Sequence, residues 1–495
     1  MNIISDIITT LTDEERTSFV SSLHQKNKRH DTKNVALFKL LATNPAAQNI
    51  DLHIYGKKAK GAYHALSKRL FDSLVDFVAT KSFEGEQSEE MEIIKLLLAS
   101  RILFEQKAYK VALKIIKKAE EKALDYELYG ILNEIYYTRI QYAHEDKNKA
   151  LEELISRFKK NKVLFQQEEN LNLFYASIHN TLLHSRENVQ QTMIDNLTKF
   201  DISIDSGLTY RSLFKIVEIN NAAANTARDF HSLLPFIEKV NKEIALKQKL
   251  SEKHLFYHIQ ILYYIANAYF RNKNFIASKN YLAQMNTAMQ KQHGAYYERF
   301  LPQYTLVQIL NLNYSGDAAT AISIIRQLDF EKFKPHIAYV MDLKLTAAVI
   351  FLQQNSPKEA LSIFKESRHS DLWYASKGSE IWVIKKNLVE IILYIEMDLV
   401  DLVESKIKSF RKKHTPYLKA NNEIRVLEFL KLASYYYQHK EAIISEDFIL
   451  KVKKTLTSAH REKEDVFVLS FYAWLKAKVM KTDVYKTTLE AVCQN

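Results

Sequence analysis

The chain has 495 residues, and only 8 are glycine and 6 proline, about a quarter of ordinary usage. Folds that need many tight turns (sandwiches, barrels, most α/β layouts) are excluded by that shortage. Apolar residues at 47% and charged residues at 26% mark a globular chain rather than a disordered one. The formal charge is +12, and residues 401–495 hold 18 Lys/Arg against 12 Asp/Glu, so about half the excess lies in the last fifth and suits an acidic partner.

The opening stretch MNIISDIITTLTDEER has no basic region ahead of an apolar one and reads poorly as a secretion signal. Helical periodicity then begins. Thr12 with Glu15 makes a capping pair for a first helix whose buried stripe is Phe19, Val20 and Leu23. A second helix is expected over 34–42 and a third over 60–80, with a boundary at the acidic stretch 84–90. From about residue 91, helices of roughly 12–20 residues alternate with polar breaks at 144–149, 201–207, 272–274, 315–317, 353–357 and 415–422. The longest apolar runs, such as 261–270, are about half the length that spans a bilayer. The single cysteine, Cys493, allows no internal disulfide and fits a reducing cytoplasm.

Four windows share one spacing. Leu96, Ala99, Ser100 and Leu103 lead to Tyr109, Ala112, Ile116 and Ala119. Leu262, Ile265, Ala266 and Tyr269 lead to Phe275, Ser278, Leu282 and Met285. Ile309 and Leu312 lead to Ala318, Ala321, Ile325 and Leu328. Ala347, Ala348 and Phe351 lead to Pro357, Ala360, Phe364 and Ser367. In each, a small residue (Ala112, Ser278, Ala321 or Ala360) opens the second helix where two backbones cross closely, and a large one four later fills the gap.

This pattern resembles the tetratricopeptide repeat, which implies an all-α solenoid of stacked hairpins and a partner-binding inner wall. The expected layout is an N-terminal helical unit over 1–88, a repeat region over 89–400 and a basic helical cap over 401–495. On that resemblance the inner wall carries Gln260, Tyr263, Asn267, Phe270 and Arg271, then Gln303, Leu306, Leu310, Asn313 and Tyr314, then Asp342, Leu345, Val349, Leu352 and Gln353. Aromatic and arginine side chains there suit hot spots for a protein or peptide.

Motifs for chemistry are sparse. GKKAKGAY at 56–63 has Ala62 and Tyr63 where a phosphate loop needs Lys and Ser/Thr, and reads as a basic helix start. His254 and His258, four apart, make half a metal site with Glu252 nearby and no further ligand placed by sequence. No nucleophile elbow, cysteine–histidine signature or calcium loop occurs. The expectation is a non-catalytic adaptor or scaffold with no cofactor, binding another protein. The alternative is a nucleic-acid-linked regulator. Its phosphate contacts would come from Lys26, Lys28, Arg29, Lys33, Lys57, Lys58, Lys60, Lys68 and Arg69, or from Lys406, Lys408, Arg411, Lys412, Lys413 and Lys419 with Lys451, Lys453 and Lys454.

Overall fold

The computed structural model describes residues 3–11, 13–26, 33–44, 47–85, 89–146, 151–184, 189–204, 208–227, 229–232, 234–365, 369–421, 423–439, 446–456 and 464–493. Among them there is no β-strand, and the protein is all-α. Thr12, Lys28, Arg29 and Ser367 lie outside the described residues, as do the side chains of Lys26, Lys451, Lys453 and Lys454. The chain divides into two compact units, Met1–Phe165 and Gln166–Asn495.

The first unit opens with α1 (Ile3–Thr10), α2 (Asp13–Lys26), α3 (Lys33–Thr43), α4 (Ile50–Tyr55) and α5 (Lys60–Gly85). The 34–42 and 60–80 periodicities correspond to α3 and α5; α1 buries Ile4 and Ile8, four apart, and the six-residue α4 is too short to show a period. Phe19, fully buried, sits 4.9 Å from the Phe38 ring and 5.1 Å from Phe77. Gly56 closes α4 in the left-handed region at φ 68, so GKKAKGAY spans a cap and the start of α5. Next come α6 (Glu89–Glu105), α7 (Tyr109–Asp125), α8 (Tyr129–Gln141) and the start of α9 (Leu151–His184). Here a buried Glu120 pairs with the buried Arg139 and, at 3.4 Å, with Arg157. A buried charge this far from water requires such partners.

The second unit continues with α10 (Val189–Lys199), α11 (Tyr210–Ala227), α12 (Leu234–Leu246), α13 (Gln248–Lys253), α14 (Leu255–Arg271), α15 (Phe275–Met289) and the short α16 (Lys291–Gly294). Then follow α17 (Tyr297–Tyr314), α18 (Ala318–Gln327), α19 (Ile337–Gln353), α20 (Pro357–Lys365), α21 (Asp371–Lys377), α22 (Glu380–Glu396) and α23 (Val400–Ala420). The unit closes with α24 (Ile424–Gln438), α25 (Glu446–Leu456), α26 (Val466–Met480) and α27 (Val484–Cys493). The helices pack as consecutive pairs: α14 with α15, α17 with α18, α19 with α20, α22 with α23 and α26 with α27. The first helices of successive pairs also touch in order, α11 to α14, α17, α19, α22, α24 and α26.

The small residues expected at the crossings are there. Ala112, Ser278, Ala321 and Ala360 are all 0% exposed. Ser278 adds a hydroxyl that donates to the Ala266 carbonyl at 2.7 Å and accepts from Asn311 Nδ2 at 2.8 Å, so the polar atom in this tight contact is satisfied.

Candidate functional site

Three places in the second unit bear on function: the face of α14, α17 and α19 proposed as an inner wall, the cleft at one end of that face, and the basic side of α23.

The face is covered by the chain itself. Asp465 caps α26, its Oδ1 accepting the Phe467 N–H at 2.8 Å while Oδ2 accepts from Arg271. Further along α26, Ser470 Oγ lies 2.7 Å from Tyr314 OH and accepts from Gln353 Nε2 at 3.0 Å. Asn313 Nδ2 donates to Gln353 Oε1 at 2.8 Å, and Tyr485 of α27 donates to the Asn313 carbonyl at 2.7 Å. At the far end Glu396 accepts from both Trp474 Nε1 and Lys478 Nζ, each at 2.7 Å.

The seven residues expected to face a partner are therefore accounted for inside the unit. Phe270, Asn313 and Tyr314 are no more than 2% exposed, and Gln260, Tyr263 and Asn267 are each 8%. Arg271, a quarter exposed, bonds Asp465 through one guanidinium nitrogen. Tyr263 meets Tyr339 edge-on, and Asn267 reaches back to Asn221 on α11. Of the wider set, Gln303, Leu306, Leu345, Val349, Leu352 and Gln353 are buried too. This corrects the expectation of an open wall. The physical reason is α26, whose buried residues Val466, Leu469, Phe471, Ala473, Trp474, Leu475 and Ala477 circle the helix and need apolar neighbours on every side. One signal in the sequence pointed to this: VFVLSFYAWLKAKVM has no polar face.

Where α26 begins, a cleft of about 490 Å³ stays open, lined by the ends of α11 and α14, the first turns of α19 and α22, residue 417 of α23 and residues 465 and 468. Arg271, Lys385, Asp342, Asp465 and His231 line it beside Phe230, Met341, Ile381 and Trp382. Trp382 Nε1 donates to Asp342 Oδ1 at 3.0 Å. Burial raises the Asp342 carboxyl above its ordinary value, against the pull of Lys385 and Arg271. For Asp465 the balance reverses: burial opposes ionisation, but Arg271 and Lys385 outweigh it and hold the group at about 2. Lys385 also lies 4.8 Å over the Phe467 ring.

On α23 the five cations of the predicted patch part company. Lys406 turns inward to Glu390, and Lys413 pairs with Asp371 at 2.8 Å. Lys408, Arg411 and Lys412 are exposed and make no ion pair among the described residues. Lys419 is exposed on the same side. In the first unit, Lys57, Lys58, Lys60, Lys68 and Arg69 are likewise exposed, with Asp72 and Asp76 beside them, while Lys33 sits over the Tyr55 ring.

The histidine pair serves packing. His258 Nδ1 is 2.6 Å from Tyr210 OH, and His254 stacks on the same ring at 5.5 Å. Burial holds both imidazoles down at about 4. Among the described residues no group of three or more His, Cys, Asp or Glu is placed to hold a metal ion, and no helix is long and apolar enough to cross a membrane. Comparison of the chain with protein-family models, curated proteins and solved structures found no match.

Proposed function

We propose that this chain is a protein–protein interaction module, a non-catalytic cytoplasmic adaptor or assembly scaffold built as a tetratricopeptide-like solenoid, which engages an acidic partner on an outer helical face. The observation that carries this reading is the cationic side of α23, whose Lys408, Arg411 and Lys412 make no ion pair among the described residues. Lys408, Arg411 and Lys412 project from a helix whose opposite side is anchored by buried Val403, Ile407, Phe410, His414 and Leu418. A rigid helix presenting fixed charges lowers the ordering cost of association and raises its rate.

The nucleic-acid reading draws on these cations or on those of the N-terminal helices, and salt separates it from the first reading. Binding of duplex DNA through three phosphate contacts should fall log-linearly with salt at a slope near −3, from about −0.9 per contact. The direct test is capture of partners by the full chain and by the triple charge reversal Lys408→Glu, Arg411→Glu, Lys412→Glu. These exposed side chains make no ion pair among the described residues, so the variant should fold normally and lose its partners. A folded variant that keeps every partner would refute the assignment.

A further inference from the structure

The open cleft gathers two cations, two carboxylates and the amino end of a helix. Both Asp465 oxygens are taken, one by the Phe467 N–H and one by Arg271, and one Asp342 oxygen is taken by the Trp382 indole. On the donor side, Arg271 Nε is buried with no hydrogen-bond partner among the described residues. The same guanidinium lies 5.5 Å from the centre of the Phe230 ring, which holds it in the cleft wall. Ser379, whose oxygen accepts from the Trp382 N–H at 3.2 Å, brings the amino end of the 17-residue α22 into the lining. That end carries partial positive charge. The two cations and two carboxylates of the lining balance formally. Burial makes Asp342 the more readily neutralised acid, which tips the cleft toward accepting negative charge.

The Arg271 side chain is a quarter exposed, so its guanidinium, though not the buried Nε, can meet an acceptor in the cleft. The remaining wall is apolar: Phe230, Met341, Ile381, Trp382 and Val468. A volume of about 490 Å³ falls among ordinary small-ligand sites, roughly 300–1,000 Å³. We infer that this cleft binds a small amphiphilic carboxylate. Its oxygens accept from Arg271, from Lys385 and from the first turn of α22, and its apolar body lies against Trp382 and Met341. The carboxylate belongs either to a free organic acid or to the end of a short peptide. Lys408, Arg411 and Lys412 are absent from this lining, so the inference stands or falls apart from the proposal on α23.

The experiment titrates the full chain with octanoate, and separately with N-acetyl-Leu-Leu, following heat and tryptophan fluorescence. The matched neutral compounds, octanol and the peptide amide, serve as controls. At least one carboxylate should bind saturably at one site, at least about tenfold more tightly than its neutral counterpart, as expected for a charge-assisted contact. Octanoate alone binding assigns the free acid; the peptide alone binding assigns a chain end. Both Arg271→Gln and Lys385→Met should weaken binding at least about tenfold. Lys385→Met keeps an apolar stem over Phe467 and leaves the Asp465–Arg271 pair in place, so it reports on the cleft even where Arg271→Gln loosens α26. Three results would overturn the inference: no saturable binding of either carboxylate at millimolar concentration, equal binding of acid and neutral compound, or undiminished affinity in a natively folded Lys385→Met chain.

Discussion

His254, which caps α14, and His258, one turn on, both lie against the Tyr210 ring. Burial, aided by Arg211 and Lys253 at His254 and by Lys291 at His258, keeps them neutral down to about pH 4, whereas the unfolded chain protonates them near the ordinary 6.5. Between those values the unfolded state binds more protons, so stability falls as pH drops through the window. Each histidine loses about 1.4 kcal/mol per pH unit at most. The carboxylates Asp371 and Asp465, both held at about 2, work in a lower window. They stabilise the fold above their ordinary 3.8 and lose that contribution as pH falls toward 2. Urea midpoints measured from pH 7 to pH 4.5 should decline for the native chain. The decline should be visibly flatter for His254→Gln with His258→Gln; parallel slopes would contradict the role of these two rings.

The connections within pairs follow one plan. Residues 106–108, 126–128, 272–274, 315–317, 354–356 and 397–399 each join two helices in three residues, and the middle one (Lys107, Glu127, Lys273, Gly316, Asn355, Asp398) has positive φ. In each, the N–H of the third residue reaches back to a carbonyl five residues earlier, as Asn274 does to Tyr269 at 2.9 Å and Ser356 to Phe351 at 2.9 Å. This is the left-handed helix stop that glycine favours, yet only one of the six has it. Lys273 and Lys107 bear a Cβ in that conformation, at a cost of about 1 kcal/mol. Lys273→Gly should therefore stabilise the chain by up to about 0.5 kcal/mol, after the added freedom of the unfolded glycine is deducted. Chemical denaturation checks this, and a loss of stability would contradict the turn geometry. Polar breaks at 272–274, 315–317 and 353–357 mark three of these stops in the sequence; those at 106–108, 126–128 and 397–399 have neither glycine nor a marked break. The crossing residues Ala112, Ser278, Ala321 and Ala360 revealed four pairs because a close helix contact admits only small side chains. The pairs α7–α8, α22–α23 and α26–α27 lack that signature in the same register and went unread.

At the scale of the chain, what local pattern conveyed least was which helix covers which. Arg271 meets Asp465 across 194 positions, Tyr314 meets Ser470 across 156, and Gln353 meets Ser470 across 117. Helical period locates a buried stripe but carries no information on a partner so distant. The inner-wall residues were thus recognised as one face, while its occupant, the C-terminal hairpin, was not. Burying Leu469, Trp474, Leu475 and their neighbours, at about 1.5–3 kcal/mol per large side chain, makes α26 part of the core of the second unit. The cleft and the α23 face are left as its open features. Hydrogen exchange on the full chain, resolved by peptide, tests this most directly. Amides of α26 should exchange as slowly as those of α19, both released only when the unit opens as a whole. Rapid exchange across α26 while α14 and α19 stay protected would show the hairpin to be loosely held and the face behind it open.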